Sequence, residues 1–175
     1  FGNKQGYVVA QEMLQDPYLI DERKTNCRFY LLVVCHNGRK SGYLYNNGFM
    51  YYTPEKFHVN SVEYDRIITA GLSTNRKDTQ FYRSHPLTLQ EFQQYLDQKS
   101  PKDQKVNIFQ RTGRLFAKTL EATSPSFCTP SKLQKRITFQ LFGCDIAFNN
   151  KLEPQLIEIN KGPDLSSKTQ KESDI

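Results

Sequence analysis

The sequence predicts an α+β fold in which helices pack against an antiparallel β-sheet. Apolar strand-like runs separated by tight turns fill the first third of the 175 residues, and two segments of helical periodicity follow. Two further apolar strands, joined by a short polar turn, lie near the end. Strands joined by short turns pair antiparallel, and segregated runs of strands and helices are typical of α+β domains. A chain of this length forms one domain or a large part of one.

The first part of the sheet is predicted from apolar runs and turn residues. Asn37-Gly38 is typical of a two-residue hairpin turn, and Asn46-Asn47-Gly48 indicates a second turn shortly afterwards. The sequence therefore predicts an antiparallel meander. Its strands are expected at residues 26–36, 41–45 and 49–53, after a first buried strand at residues 7–11.

Two helices are predicted in the middle of the chain. Thr88 and Glu91 form a capping-box sequence that opens the first helix. Ser100-Pro101 is a favourable N-cap and first-turn pair for the second. The apolar residues that keep helical spacing are Leu89, Phe92 and Leu96, then Val106, Phe109, Phe116 and Leu120. The connections before the helices are expected at residues 54–65 and 74–86, with a short strand at residues 67–68.

The last two strands place three oxygen-bearing side chains together. Side chains alternate along a strand, so Glu158 and Asn160 lie on one face. A four-residue loop at residues 150–153 would place Asp145 directly opposite Glu158, with Cβ atoms roughly 4.5–5.5 Å apart. Two carboxylates at that distance repel unless a cation lies between them, and Mg²⁺ prefers such oxygen ligands. The spacing predicts a magnesium site on the terminal hairpin.

Spacing alone leaves simpler interpretations open. A three-residue loop would move one carboxylate to the other face of the hairpin. With either loop, the acids are also compatible with ordinary solvated side chains on an outer face. Lys24 and Arg28 are likewise compatible with solvated charges at the start of a strand. His36, His58 and His85 show no metal-ligand spacing and are predicted to be surface or loop residues.

Composition limits the partners and the compartment. The net charge is +6 with a pI near 9.1, which favours anionic partners such as nucleotide phosphates or an acidic peptide. No apolar run reaches the roughly 18–20 residues that span a bilayer, and no signal peptide is evident. The four cysteines lack paired metal-ligand spacing, and three lie in apolar runs. Buried free thiols in a cytoplasmic protein are therefore expected.

Several segments, in order along nearly the whole chain, resemble the tubulin–tyrosine ligase-like family of the ATP-grasp superfamily. The most specific are Phe-Gly-x-Asp at residues 142–145 and Leu-Ile-Glu-x-Asn at residues 156–160. The others lie at residues 8–20, 23–30, 43–49 and 73–75. The resemblance implies an ATP-grasp-like antiparallel sheet with helices packed on it. Residues 1–163 would form its C-terminal part, with the N-terminal subdomain largely missing, and residues 164–175 a polar tail.

The resemblance also implies a site for ATP and Mg²⁺. The nucleotide-binding residues, from the adenine hinge to the phosphates, would be Gln11, Glu12, Met13, Leu14, Lys24, Asn26, Thr74, Asn75 and Ile159. The magnesium ligands would be Asp145, Glu158 and Asn160, the three residues that the hairpin brings together. Arg28 and Glu158 are the predicted catalytic residues. Arg28 would face the transferred phosphate and the acceptor carboxylate, anions that a guanidinium binds through two parallel hydrogen bonds.

The chain departs from the family pattern at several positions. Asn26 stands where the family usually has Asp, which removes one negative charge beside the nucleotide. Tyr51 occupies the position of an arginine that helps to hold the acceptor, and residues 71–73 lack the usual histidine. The loss of that arginine bears directly on which acceptor the protein can use.

The resemblance implies ATP-dependent ligation of an amino acid to a protein or peptide carboxylate through an acyl phosphate. The expected partners are an acidic protein or peptide acceptor, with tubulin as one candidate, and a free amino acid. No membrane and no nucleic acid are expected, and the protein is expected to be a monomer. A degenerate scaffold that binds an acidic partner without catalysis is the alternative, favoured by Tyr51. A nucleic-acid binder is suggested only by charge and aromatic content, and no binding motif supports it.

Overall fold

The structure is a computed structural model, and it describes residues 11–69, 79–101, 104–123 and 137–165. Its elements are β1 (Leu19–Ile20), β2 (Arg23–His36), β3 (Arg39–Tyr52), α1 (Tyr64–Ile67), α2 (Thr79–Ser84), α3 (Leu89–Lys99), α4 (Ile108–Ala122), β4 (Thr138–Phe148) and β5 (Pro154–Lys161). The strands form one five-stranded antiparallel sheet in which β2 pairs with both β3 and β4. Strand β5 pairs with β4, and β1 with the start of β2. The predicted α+β fold is confirmed.

The predicted turn of the first hairpin is confirmed, but its second strand is longer than predicted. Asn37 and Gly38 have φ values of 51° and 72°, as a type I′ turn requires. The second predicted turn is wrong, because Asn46 and Asn47 lie in a bulge inside the single long strand β3, and Gly48 is again in register with β2. The strands expected at residues 41–45 and 49–53 are therefore one strand, and the meander is a hairpin.

Contacts with α3 explain why this Asn-Asn-Gly sequence forms a bulge. The side-chain amide of Gln90 donates to the Asn46 carbonyl at 3.1 Å, and the Gln90 backbone N–H donates to the Asn47 side chain at 3.3 Å. A Cβ atom on Gly48 would lie 2.1 Å from the Arg28 carbonyl oxygen of β2, so only glycine fits this close approach. Partners distant in sequence therefore fix the bulge.

The first predicted helix is confirmed and the start of the second is wrong. Thr88 and Glu91 form the reciprocal capping box of α3, with backbone-to-side-chain distances of 3.1 Å in both directions. Ser100 is the C-cap of α3, where its N–H bonds to the Leu96 carbonyl, so Ser100-Pro101 does not open the next helix. Asn107 is the N-cap of α4 and accepts a 2.8 Å bond from the Gln110 N–H. Within the described ranges, no helix is long and apolar enough to cross a membrane.

Three smaller predictions also need correction. The strand expected at residues 67–68 is absent, since Ile67 ends the one-turn helix α1. The connection expected at residues 74–86 contains helix α2 in its described portion. Cys27 and Cys144 are buried free thiols as expected, whereas Cys35 is disulfide-bonded. Most of the strand expected at residues 7–11 lies outside the described residues, and Gln11 itself is not in a strand.

Alternate residues of β2 face the two sides of the sheet. The Phe29 ring lies 6.0 Å from Phe109 and 6.4 Å from Phe116 of α4, both edge-on. Other core residues on this side are Cys27, Leu31 and Val33 of β2, Leu89, Phe92 and Leu96 of α3, and Ile108 of α4. Helices α3 and α4 thus cover one face of the sheet. The intervening β2 residues, among them Lys24 and Arg28, lie on the open face.

Candidate active site on the open face of the sheet

The hairpin of β4 and β5 pairs Asp145 directly with Glu158, and Gly143 with Asn160. The predicted pairing is confirmed, but the predicted four-residue loop is not. Phe148 pairs with Pro154, so the loop has five residues, 149–153. An odd loop alone would place Glu158 on the helix-covered face. A register shift beyond Asp145 leaves Ile157 as an extra residue in β5 and brings Glu158 back to the open face.

The loop that sets this register is closed by one side chain. Asn149 Oδ1 accepts bonds from the backbone N–H groups of Lys151 at 3.0 Å and Glu153 at 2.9 Å. Its Nδ2 donates to the Glu153 carboxylate at 3.0 Å. Leu152 adopts a φ of 59°, an uncommon value for a residue of this type. The Asn149 side chain therefore holds together a loop that the sequence did not define.

Arg28 and Asp145 form the central ion pair. Arg28 Nε and Nη2 donate to the two carboxylate oxygens of Asp145 at 2.7 and 2.8 Å, a bidentate arrangement. The two residues are opposite each other on β2 and β4, and Asp145 is only 4% exposed. Burial works to lower the pKa of Arg28, but the hydrogen bonds and charge of Asp145 outweigh it and raise that pKa above its ordinary value. Burial raises the pKa of Asp145, and Glu158 adds to this increase against the opposing effect of Arg28.

Glu158 and Asn160 complete a row of oxygen-bearing side chains with Asp145. Asn160 Nδ2 donates to Glu158 Oε1 at 2.7 Å, and Glu158 lies directly opposite Asp145 on the neighbouring strand. All three predicted magnesium ligands thus lie on one face of the sheet. In the part of the chain that the structure describes, no three His, Cys, Asp or Glu side chains form a metal cluster. The amide oxygen of Asn160 would be the third protein donor.

The donor set fits a magnesium ion. Two adjacent carboxylates need a positive charge or a proton between them, and Mg²⁺ is usually held by one or two carboxylates together with substrate phosphates and water. Asp145 already accepts two bonds from Arg28. Each carboxylate oxygen has a second lone pair, so Asp145 keeps the capacity to bind a cation beside the guanidinium.

A cleft of about 430 Å³ opens beside this row of side chains. Its polar lining is formed by Lys24, Asn26, Arg28, Tyr51, Asp145 and Glu158, and its apolar lining includes Ile67, Ala147 and Ile157. Lys24 Nζ donates to the Ile67 carbonyl at 3.0 Å, and burial lowers its pKa. The Tyr51 ring centroid lies 5.9 Å from Arg28 Cζ, within cation–π range. Two cations, two acids and an aromatic ring therefore share one cleft.

The predicted nucleotide-binding residues are only partly brought together. Lys24 and Asn26 line the cleft. Gln11 lies beside the outer strand, where its side chain donates to the Leu156 carbonyl at 3.3 Å, and residues 11–14 do not line the cleft. Ile159 pairs with Cys144, and alternation along β5 directs it away from the face of Glu158. Thr74 and Asn75 lie outside the described residues.

Some cleft residues had no sequence signal of their own. Ile157 enters the lining because it is the bulged residue of β5, and Ala147 because β4 carries it past Asp145 on the open face. Residues 67–69 contribute through the end of α1 and the chain after it, where the sequence had predicted a strand. A bulge in β5 could have been suspected from Leu156-Ile157, two consecutive apolar residues in an otherwise alternating strand.

A sheet with one helix-covered face and an arginine–carboxylate cleft on the other defines an α+β domain with a charged cleft. Comparison with known proteins identifies the family. The model of the tubulin-tyrosine ligase family matches residues 2–175, so the chain belongs to that family. The resemblance recognised in the sequence is confirmed.

Curated relatives match almost all of this chain. The probable tubulin polyglutamylase TTLL9 of Rattus norvegicus is 28% identical over 169 residues, which cover 95% of this chain and 35% of the relative. The tubulin polyglutamylase ttll-5 of Caenorhabditis elegans is 26% identical, covering 93% and 24% of the two chains. The tubulin glycylase 3B of Drosophila melanogaster is 24% identical, covering 96% and 22%. The chain spans about a third or less of the length of these relatives.

Proposed function

We propose that the chain is part of an ATP-dependent ligase that joins an amino acid to a carboxylate of an acidic protein, with tubulin as the first candidate acceptor. The relatives named above are tubulin polyglutamylases and a tubulin glycylase, which supports this class of reaction and acceptor. The net charge of +6 favours an acidic partner. The chain would supply the cation- and phosphate-binding side of the active site.

The residues of the cleft have complementary roles in this proposal. Asp145, Glu158 and Asn160 would hold Mg²⁺, which neutralises charge on the phosphates when bound. Arg28 and Lys24 would supply positive charge to the transferred phosphoryl group and to the acceptor carboxylate. The acceptor carboxylate would take the γ-phosphoryl group of ATP, releasing ADP and forming an acyl phosphate. The amine of the incoming amino acid would then displace phosphate to form the amide. Such chemistry depends on positioning and charge, and it requires no side-chain nucleophile.

The observation that carries the proposal is the shared face of the two acids, the amide and the arginine. Asp145 faces Glu158 across the hairpin, and Glu158 accepts a 2.7 Å bond from Asn160. On the other side, Asp145 accepts a 2.7 Å bond from Arg28 of the neighbouring strand β2. A purely structural ion pair would need only Arg28 and Asp145. The adjacent Glu158, which is exposed to the cleft, has no such structural use.

A second candidate function is a scaffold that binds an acidic protein without catalysis. Tyr51 supports this alternative, because its aromatic ring faces Arg28. A second cation at that position would help Arg28 to bind both the acceptor carboxylate and the transferred phosphate. In this alternative, Arg28 and Asp145 would remain paired, and the basic surface alone would attract the partner. The two functions differ in their response to nucleotide.

The test is nucleotide binding by the full-length protein, measured as a thermal shift with ATP in the presence and absence of magnesium. A magnesium-dependent shift that disappears in Glu158→Gln supports the ligase, because that change removes one carboxylate from the cleft at nearly constant shape. Glu121→Gln is the matched control, since Glu121 lies near the end of α4 on the helix-covered side of the sheet. A wild-type protein that gives no shift with ATP, but still binds an acidic peptide, would overturn the ligase in favour of the scaffold.

A further inference from the structure

Gly143 occupies an unusual position beside the candidate site. It lies on β4 two residues before Asp145, so both face the open side of the sheet, and it pairs with Tyr30 on β2 and Asn160 on β5. The residue is buried. Its φ value is not in the left-handed region, so backbone conformation does not require glycine here. The preference for glycine at this position therefore comes from the atoms that surround its Cα.

The space that a side chain would occupy is already filled from two sides. A Cβ atom on Gly143 would lie 3.2 Å from Nη1 and 3.4 Å from Cδ of Arg28. It would also lie 2.9 Å from Cβ of Pro163, in the segment that follows β5. The 2.9 Å approach is too short for two carbon atoms, and the 3.2 Å approach to Nη1 requires the guanidinium to move by a few tenths of an ångström. The Arg28 side chain therefore lies against the bare backbone of Gly143.

Gly143 lies beside the part of the Arg28 guanidinium that does not bind Asp145. The guanidinium uses Nε and Nη2 for its two bonds to the carboxylate, and Nη1 is the nitrogen that lies beside Gly143. Among the hydrogen bonds of the described residues, Arg28 Nη1 has none. The Arg28 side chain is 19% exposed and lines the cleft. Its unused donors are therefore available to an anion while the other two hold the guanidinium in place.

We infer that Gly143 is a positioning residue that sets the location of the Arg28 guanidinium, and through it the anion-binding capacity of the cleft. A methyl group at this position shifts the Arg28 side chain by a few tenths of an ångström and weakens its bidentate contact with Asp145. The identity of the anion, a phosphate or a carboxylate, rests on the proposed function. The contact between Gly143 and Arg28 does not, so the two can be tested separately.

The direct test is ¹H–¹⁵N NMR of the Arg28 side chain, assigned by comparison with Arg28→Lys, in the full-length protein and in Gly143→Ala. In the wild type, the Nε–H signal is expected to show the downfield shift and slow exchange of a bond to a carboxylate. In Gly143→Ala, that signal is expected to move or to be lost. Gly113→Ala is the control, because a Cβ there meets nothing within 4 Å and alanine suits the middle of α4.

A second variant separates Arg28 from Pro163. Gly143→Ala combined with Pro163→Gly removes the 2.9 Å contact, so that Arg28 is the remaining close neighbour of the new methyl group. Measured against Pro163→Gly alone, the double variant should show a smaller loss of thermal stability than Gly143→Ala shows against the wild type, and the Arg28 signal should stay displaced. Recovery of both stability and signal would overturn the inference, because Pro163 would then be the reason for glycine.

The functional consequence is measured as the affinity for magnesium with a non-hydrolysable ATP analogue. Loss of one charged hydrogen bond predicts roughly tenfold weaker binding in Gly143→Ala. In an Arg28→Ala background the same change should add little, since the group that it displaces is gone. Equal weakening in both backgrounds would contradict the inference. If the wild type binds no nucleotide, the proposed function fails, while the NMR comparison still decides the role of Gly143.

Discussion

The ion pair of Arg28 and Asp145 offers the sharpest energetic prediction. Arg28→Met keeps the aliphatic stem but removes the charge, which leaves the Asp145 carboxylate, in a residue only 4% exposed, beside Glu158 without its guanidinium partner. Removing one partner of a buried ion pair costs about 3–5 kcal/mol. Because the Arg28 side chain is 19% exposed, water can partly replace it, and we expect a loss near the lower limit, about 3 kcal/mol.

Native-state hydrogen exchange of the β2 and β4 amides measures this loss where it occurs. In the presence of EDTA, the opening free energy of these amides should fall by about 3 kcal/mol in Arg28→Met. Added magnesium should restore part of it, since a divalent ion between Asp145 and Glu158 replaces the missing positive charge. In an Asp145→Asn background, Arg28→Met should cost clearly less, because no charged partner remains.

Two results would refute this reasoning. A cost below about 1 kcal/mol would mean that the pair behaves as an exposed surface pair. An equal cost in the wild-type and Asp145→Asn backgrounds would show that Arg28 acts through packing alone. Arg66→Met serves as the control, because Arg66 pairs with the well-exposed Glu55 and Glu63 and should have a smaller effect.

The remaining predictions concern the loop and the thiols. Asn149→Ala removes the side chain that closes the loop between β4 and β5, so stability should fall by about 1–3 kcal/mol and any magnesium-dependent thermal shift should shrink. Asn150→Ala, at an exposed position of the same loop, should do neither. Burial raises the pKa of Cys144 to about 12, and it also raises the pKa of the fully buried Cys27. Iodoacetamide at about pH 8 should therefore label both thiols only after denaturation, and rapid labelling of the native protein would contradict the buried positions.

Several elements could be predicted from the chemistry of neighbouring residues alone. The Asn37-Gly38 turn needs two residues with positive φ, and that requirement is met by the residue types themselves. The capping box of Thr88 and Glu91 is closed within a single turn of α3. Both features involve groups within a few residues of one another. Their free energy does not depend on the rest of the fold, so a pattern in the sequence could predict them.

Other elements depended on partners far away in the chain. Asn46-Asn47-Gly48 has the composition of a turn, yet Gln90 on α3 and the close approach of β2 make it a bulge. Ser100-Pro101 has the composition of a helix start, yet Ser100 ends α3, and the side chain of Gln93 on α3 bonds to the backbone of Val106 and Ile108, where α4 begins. In both cases the local preference is small, and a few tertiary contacts outweigh it.

The candidate site combines both kinds of information. The sequence by itself determined the α+β class, the family, and the shared face of Glu158 and Asn160, because alternation along a strand is a property of the backbone. Only the tertiary structure decided that an odd loop is compensated by a bulge at Ile157. It also decided that the Arg28 guanidinium binds the Asp145 carboxylate, and that Gly143 leaves room for the Arg28 side chain. These features arise where neighbouring strands and the chain after β5 meet, and no local rule contains the distances between them.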